Sequence, residues 1–156
     1  MAIRNVKSTV FGSTDANGVF TGASGASALG QPMRIGGTVT CLATDSQGSE
    51  YTLVQVPPSA ILLPESAIKT TAWGFAQAVI GIDGDTDALL DVTKATGGAT
   101  GNNPITIFDA NWNNPIWEQL GMAAAPLDFI ALKVFTEADA TIDGQIDFDL
   151  QFANHV

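Results

Sequence analysis

The sequence is poor in the residues that most chemistry requires. One cysteine, Cys41, and one histidine, His155, stand in 156 residues. A lone thiol closes no internal disulfide and leaves every CxxC metal or redox pattern without its second ligand. A lone imidazole close to the C-terminal end argues against multi-histidine metal sites and against a Ser-His-Asp arrangement. Lysine and arginine total 6 against 16 acids, for a formal net charge of −10. Phosphate-backbone binding needs clustered cations, so nucleic acid is not expected as a direct partner. No run approaches the roughly 18 uninterrupted apolar residues of a membrane-spanning helix, so no membrane partner is expected either. Met1–Lys7 carries charge without an apolar segment behind it, which reads as a chain lacking a secretory signal.

What is present is small and weakly charged. Gly (16), Ala (22) and Thr (16) are the dominant small residues, and charged residues make up 14%, well below the usual quarter. That profile suits β-sheet, tight turns and a wet face of Thr, Asn, Gln and Ser. A hydrophobic fraction of 46% over this length is enough for one core without a metal or disulfide staple. The charge is uneven. Residues 1–34 hold Arg4, Lys7 and Arg34 against Asp15, a net of +2, while residues 35–156 hold 15 acids against Lys69, Lys94 and Lys133, a net of −12. A weakly basic segment on a strongly acidic body points toward assembly.

Two regions are expected: an extended N-terminal arm, residues 1–31, and a β-sandwich domain, residues 32–156. The arm contains the low-complexity run Gly22–Gly30, which lacks the apolar bulk to offset its own ordering. Val6, Phe11, Val19 and Phe20 punctuate it as candidate interface anchors. In the body, Ile35–Ala43 and Glu50–Val56 flank a turn at Asp45–Ser49 and read as an antiparallel hairpin. Residues 59–71 read as an extended crossing, Thr70–Ile82 as the next strand, and Leu127–Thr136 as a central buried one. Ile142, Ile146, Phe148, Leu150 and Phe152 alternate with polar residues, predicting one buried row opposite an acidic wet face. Two short helices are expected. One covers Thr86–Lys94 after an Asp85 or Thr86 cap; the other covers Asn114–Gly121, with Asn114 as cap and Pro115 at the first helical position. Together these give a mainly β fold, an antiparallel β-sandwich or jelly-roll-like body with one or two short helices.

No constellation supports catalysis. Asp83–Asp87 resembles the opening of a calcium loop, but Ala88 and Lys94 stand where such a loop needs Gly and Glu, so a capping turn without metal is expected. Asp143, Asp147 and Asp149 share one strand face, whereas catalytic carboxylates need environments that separate their pKa values. Asp109 and Glu118 are accounted for by capping. Gly97, Gly98 and Gly101 lack the Lys-Ser/Thr pair of a phosphate loop. Cys41 reads as a structural thiol. Trp112, in the loop Asn111–Asn114, is the aromatic placed to serve an interface. The chain is therefore read as a non-enzyme with no cofactor, no metal and no catalytic residues.

Several segments resemble a family of small tailed-bacteriophage virion structural proteins. They are Thr71-Ala72-Trp73-Gly74-Phe75-Ala76, Ile80-Gly81-Ile82-Asp83, Asp87-Ala88-Leu89-Leu90, Asp109-Ala110-Asn111 and Ile116–Met122, followed by a closing strand. The likeness spans roughly residues 50–152. It lapses at Ala123–Pro126, where a Gly/Asp-rich turn is expected, and does not extend to residues 1–32. The resemblance implies a capsid cement or decoration protein on the outer surface of a virion. It further implies that the partners are other copies of the chain, as a homotrimer, and the major capsid protein. The alternatives are a tail or neck component, or a carbohydrate-binding or hydrolytic module using Trp112 and the Asp83–Asp87 turn.

Overall fold

The computed structural model describes residues 2–9, 33–71, 73–93, 101–104 and 111–154. Among them, alternating apolar and polar positions give strands almost throughout. In chain order these are β1 (Asn5–Lys7), β2 (Met33–Cys41), β3 (Glu50–Val56), β4 (Ala60–Leu62), β5 (Ala67–Thr71), β6 (Gln77–Ile82), β7 (Asp85–Thr93) and β8 (Gly101–Pro104). One helical turn, α1 (Ile116–Gln119), precedes β9 (Ile130–Phe135) and β10 (Gly144–Asn154). The first sheet runs β1-β3-β9-β6-β7 and the second β2-β10-β5-β8, with β4 also pairing β10. The body is mainly β and sandwich-like, as the composition predicts.

β10 organises the second sheet. Ile146, Phe148, Leu150 and Phe152 are all buried, so one side of the strand faces the core and the other faces water. Nine positions, from Gly144↔Cys41 to Phe152↔Met33, pair it with β2. Its other edge takes two short strands in succession, β5 on Gln145–Asp149 and β4 on Phe152–Asn154. Between them the chain leaves the ladder at Leu63–Ser66, and side chain replaces strand there. Ser66 Oγ accepts the Gln151 N–H at 2.8 Å, and the Leu63 N–H donates to the Gln151 carbonyl at 2.8 Å. The buried backbone stays satisfied across the break.

Several expectations are corrected. β2 and β3 form no hairpin; they lie in different sheets, because all nine residues of β2 pair with β10 while β3 matches β9. Residues 59–71 are not a bare crossing, since they carry β4 and β5. Residues 70–82 are not one strand. β5 ends at Thr71 and β6 begins at Gln77, and the step between them lets Trp73 and Phe75 enter the core together. Their rings are 5.3 Å apart, and each meets Tyr51 edge-on. Gly74 permits the step: a methyl there would lie 2.1 Å from the Ile142 carbonyl oxygen and 2.9 Å from Cys41 Sγ.

The segment after Asp85 is strand, not helix. Ile82 pairs Asp85 across Asp83-Gly84, a two-residue turn whose Gly84 has φ +95°. Asp-Gly is a strong hairpin signal, and β6 offers an apolar ladder to fold back on. α1 is four residues long, with Pro115 at its N-cap and no side-chain cap. Asn114 turns instead toward Asn111 Oδ1, at 3.4 Å. β9 is the middle strand of its sheet, as expected, but begins only at Ile130, leaving Leu127 and Phe129 exposed. Ile142 precedes β10 and is 44% exposed, so it does not belong to the buried row.

Two substitutions test this register. Phe148→Ala should cost about 3–5 kcal/mol in urea unfolding, as large-to-small core changes do. Ile142→Ala should cost no more than about 0.5 kcal/mol, the range of unremarkable surface positions. Equal losses at both sites would contradict the assignment of faces.

Candidate functional site

The most constrained polar group is Asp45, in the loop joining β2 to β3. Its side chain is fully buried, yet every partner is local to this end of the sandwich. The carboxylate accepts the Leu42 N–H at 2.9 Å, the Tyr51 hydroxyl at 2.6 Å and Arg4 Nη1 at 3.1 Å. Burial opposes its charge, but the Leu42 N–H, Tyr51 and Arg4 outweigh that cost and hold its pKa below the ordinary carboxylate value. Burial and the Asp45 charge together push the Tyr51 phenol well above its usual value. Three donors converge on Oδ2 and the side chain is shut off from solvent, so the carboxylate is not presented to a substrate. It is a fastening.

The same end carries residues 2–8. Ala2 bridges Asp45, β1 pairs β3 in parallel from Asn5↔Glu50 to Lys7↔Thr52, and Ser8 Oγ donates to the Leu53 carbonyl. Val6 packs half-buried against the core. Phe11, Val19 and Phe20 lie outside the described residues.

The aspartates named from the sequence are engaged one by one. Asp83 and Glu50 both accept from Lys133 Nζ, at 2.7 and 2.9 Å. Burial lowers the Lys133 pKa, but the two carboxylates outweigh it and raise the value overall. Asp85 lies beside Asp87, and the hydrogen bond between them raises the Asp85 pKa. Along β10, Asp143 accepts the Ala43 N–H, Asp147 accepts the Thr38 hydroxyl and Asp149 pairs with Arg34. The acidic face is thus tied to β2. Among the described residues no three His, Cys, Asp or Glu side chains converge on one point. Cys41 is buried, and desolvation raises its thiol pKa, which suits a structural role. Asp109, Gly97 and Gly98 lie outside the described residues.

What remains accessible is surface for contact. Trp112 is 54% exposed, in the turn before α1. Its carbonyl accepts from Gln119 Nε2 at 3.1 Å, and Gln119 also clasps the Leu62 N–H and carbonyl of β4 at 2.9 and 3.0 Å. Leu127 and Phe129, both exposed, lead into β9 where Ile130 faces Val56, toward the same end of the sandwich. Ile3, Leu42 and Ile142 are exposed at the opposite end, beside the Asp45 loop. A groove of about 430 Å³ opens on the flank between β1 and β2, lined by Val6–Thr9 and Thr38–Thr40.

One solved structure shares this architecture. A chain of the cyanophage Pam1 capsid asymmetric unit superposes with a TM-score of 0.55 at 15% identity, covering 91% of this chain and 98% of that one. The likeness is one of fold. No protein-family model and no curated protein matches the sequence.

Asp45 and Gln119 escaped the sequence reading. Asp45 sits in Asp-Ser-Gln-Gly, indistinguishable from a solvent turn, and only the return of Arg4 and Ala140 to the loop buries it. Replacing Asp45 with Asn should cost about 2–4 kcal/mol at neutral pH, because it weakens three hydrogen bonds and leaves Arg4 without its counter-ion. The carboxylate's contribution is present above its unfolded pKa of about 3.9 and is lost as pH falls through the lower folded value. The gap between the native protein and Asp45→Asn should therefore shrink below about pH 4 in thermal melts. A gap that widened there would reverse the sign assigned to Asp45.

Proposed function

We propose that this chain is a non-enzymatic structural protein of a bacteriophage virion. More specifically, it is a cement or decoration protein on the capsid surface. The observation that carries the reading is the fold likeness to a chain of a cyanophage capsid, which runs through nearly the whole of both chains. The engaged aspartates, the buried thiol and the apolar residues exposed at both ends of the sandwich support it. They suit a subunit whose work is contact.

In this reading the chain acts as a homotrimer on the major capsid protein. Residues 1–31 form an arm whose start is held on the body at residues 2–9 and whose anchors Phe11, Val19 and Phe20 engage a neighbour. Trp112, with Leu127 and Phe129, supplies an aromatic-rich contact at one end, the residue type that dominates interface energetics. The acidic, lysine-poor body keeps the free subunit soluble and steers it away from packaged nucleic acid.

Quantitative mass spectrometry of purified virions of the encoding phage tests the reading. A shell cement should be present in simple proportion to the major capsid protein. A handful of copies per particle would move the chain to the tail or neck, and absence from virions would overturn the proposal. Trp112→Ala should lower particle occupancy by about tenfold or more at limiting protein, the loss typical of a hot-spot aromatic, with its melting temperature unchanged.

A further inference from the structure

Residues 2–9 sit in a receptor that the rest of the chain builds group by group. The Ser46 and Glu50 N–H groups donate to the Ala2 and Arg4 carbonyls, each at 2.9 Å. In return the Thr44 and Thr52 carbonyls accept the Ala2 and Ser8 N–H groups at 2.8 and 2.9 Å. Ser49 Oγ accepts the Arg4 N–H at 3.0 Å, Asp45 pairs with the Arg4 side chain, and Val6 packs on the core. Thr9 then reaches the other sheet, where its Oγ1 accepts the Thr38 N–H at 3.0 Å. The segment thus closes one flank of the sandwich from β3 across to β2. None of these bonds depends on which copy of the chain supplies the segment.

The connection that follows is far longer than this closure needs. Thr9 lands at Thr38, five residues along β2 from Met33, a gap of about 17 Å at the strand rise. About five or six extended residues would span it. The chain supplies 23, residues 10–32, which can span up to about 80 Å. A body of this length has a radius of gyration of about 15 Å, so that reach passes across a whole neighbour. We propose that copies exchange the segment, residues 2–9 of one copy docking on the β3 edge, Asp45 and Thr38 of the next. The occupant is a second copy because the receptor fits this chain's own residues 2–9 and the connection is long enough to deliver them. The bonds are the same in cis and in trans, so concentration decides between them. A flexible tether sets an effective concentration of about 1 mM or less for the cis form, and copies crowded above it exchange. Swapping an identical element in this way is a low-cost route to oligomers. Handed from each copy to the next, the segment closes a ring. The inference rests on the proposed function for the number of copies in that ring, and not for the exchange itself.

Disulfide capture in the full chain tests it. Asn5 and Glu50 are register partners in the β1–β3 ladder, as are Lys7 and Thr52. Chains carrying Asn5→Cys alone and size-tagged chains carrying Glu50→Cys alone are refolded together from urea at about 1 mM and oxidised. Cis docking gives neither new thiol a partner, and Cys41 is buried. Exchange should yield the mixed disulfide in at least about tenfold excess over either homodimer, and at least about tenfold less of it after refolding at about 1 µM. The double variant Asn5→Cys with Glu50→Cys should seal as a monomer at the lower concentration and link into covalent oligomers at the higher. Lys7→Cys with Thr52→Cys repeats both measurements where the first pair disturbs folding, and melting temperatures verify each variant. A mixed disulfide no more abundant than the homodimers, or double variants sealed as monomers at both concentrations, would overturn the proposal. That failure would leave the virion reading intact, and absence of the chain from virions would leave the exchange standing.

Discussion

A single buried carboxylate sets the geometry of one end of this protein. Asp45 joins three stretches of chain that are remote in sequence. Its side chain holds Arg4, Tyr51 and the Leu42 N–H, its carbonyl accepts the Ala140 N–H, and its backbone bridges Ala2. Taking a charge out of water is affordable only when it is hydrogen-bonded, and here the donors are Arg4 of the N-terminal segment, Tyr51 of β3 and the Leu42 N–H of the same loop. Through Tyr51 the constraint reaches the Trp73–Phe75 pair and the interior. The crossing between the two sheets is thus fixed at one polar point, and the apolar core fills in behind it.

What the residues disclosed in advance depended on how local the deciding physics was. β10 was legible because its alternation is self-contained: the three apolar-polar pairs from Ile146-Asp147 to Leu150-Gln151, closed by Phe152, need no partner to define a face. α1 was partly legible, since Pro115 and Gly121 bracket it, but it is a single turn, shorter than the Asn114–Gly121 span, and Pro115 rather than Asn114 stands at its cap. β7 was misread because Leu89, Leu90 and Thr93 also fit a helical face, and what decides between the two is Asp83-Gly84 folding the segment back on β6. The β2–β3 hairpin failed for a different reason. Proximity in sequence favours pairing, but a nine-residue strand gains more from β10, which pairs every one of its positions from more than about 100 residues away.

The candidate surfaces divide in the same way. Trp112 could be singled out because a tryptophan among asparagines has no core to enter. Leu127 and Phe129 could not, because a strand pattern continues backward through them and only the late start of β9 exposes them. The groove between β1 and β2 is invisible to any local reading. It arises because two strands far apart in the chain end as edges of different sheets on the same flank.

Among the described residues β10 is the last strand, and it is an inner strand of the second sheet. β2, β4 and β5 all pair with it, and none of the three pairs with another of them. At synthesis rates of about 5–20 residues per second, β2 and β4 wait several seconds on the ribosome without the strand they pair with, while β5 has β8 on its other edge. The second sheet therefore assembles only after residues 144–154 have cleared the exit tunnel.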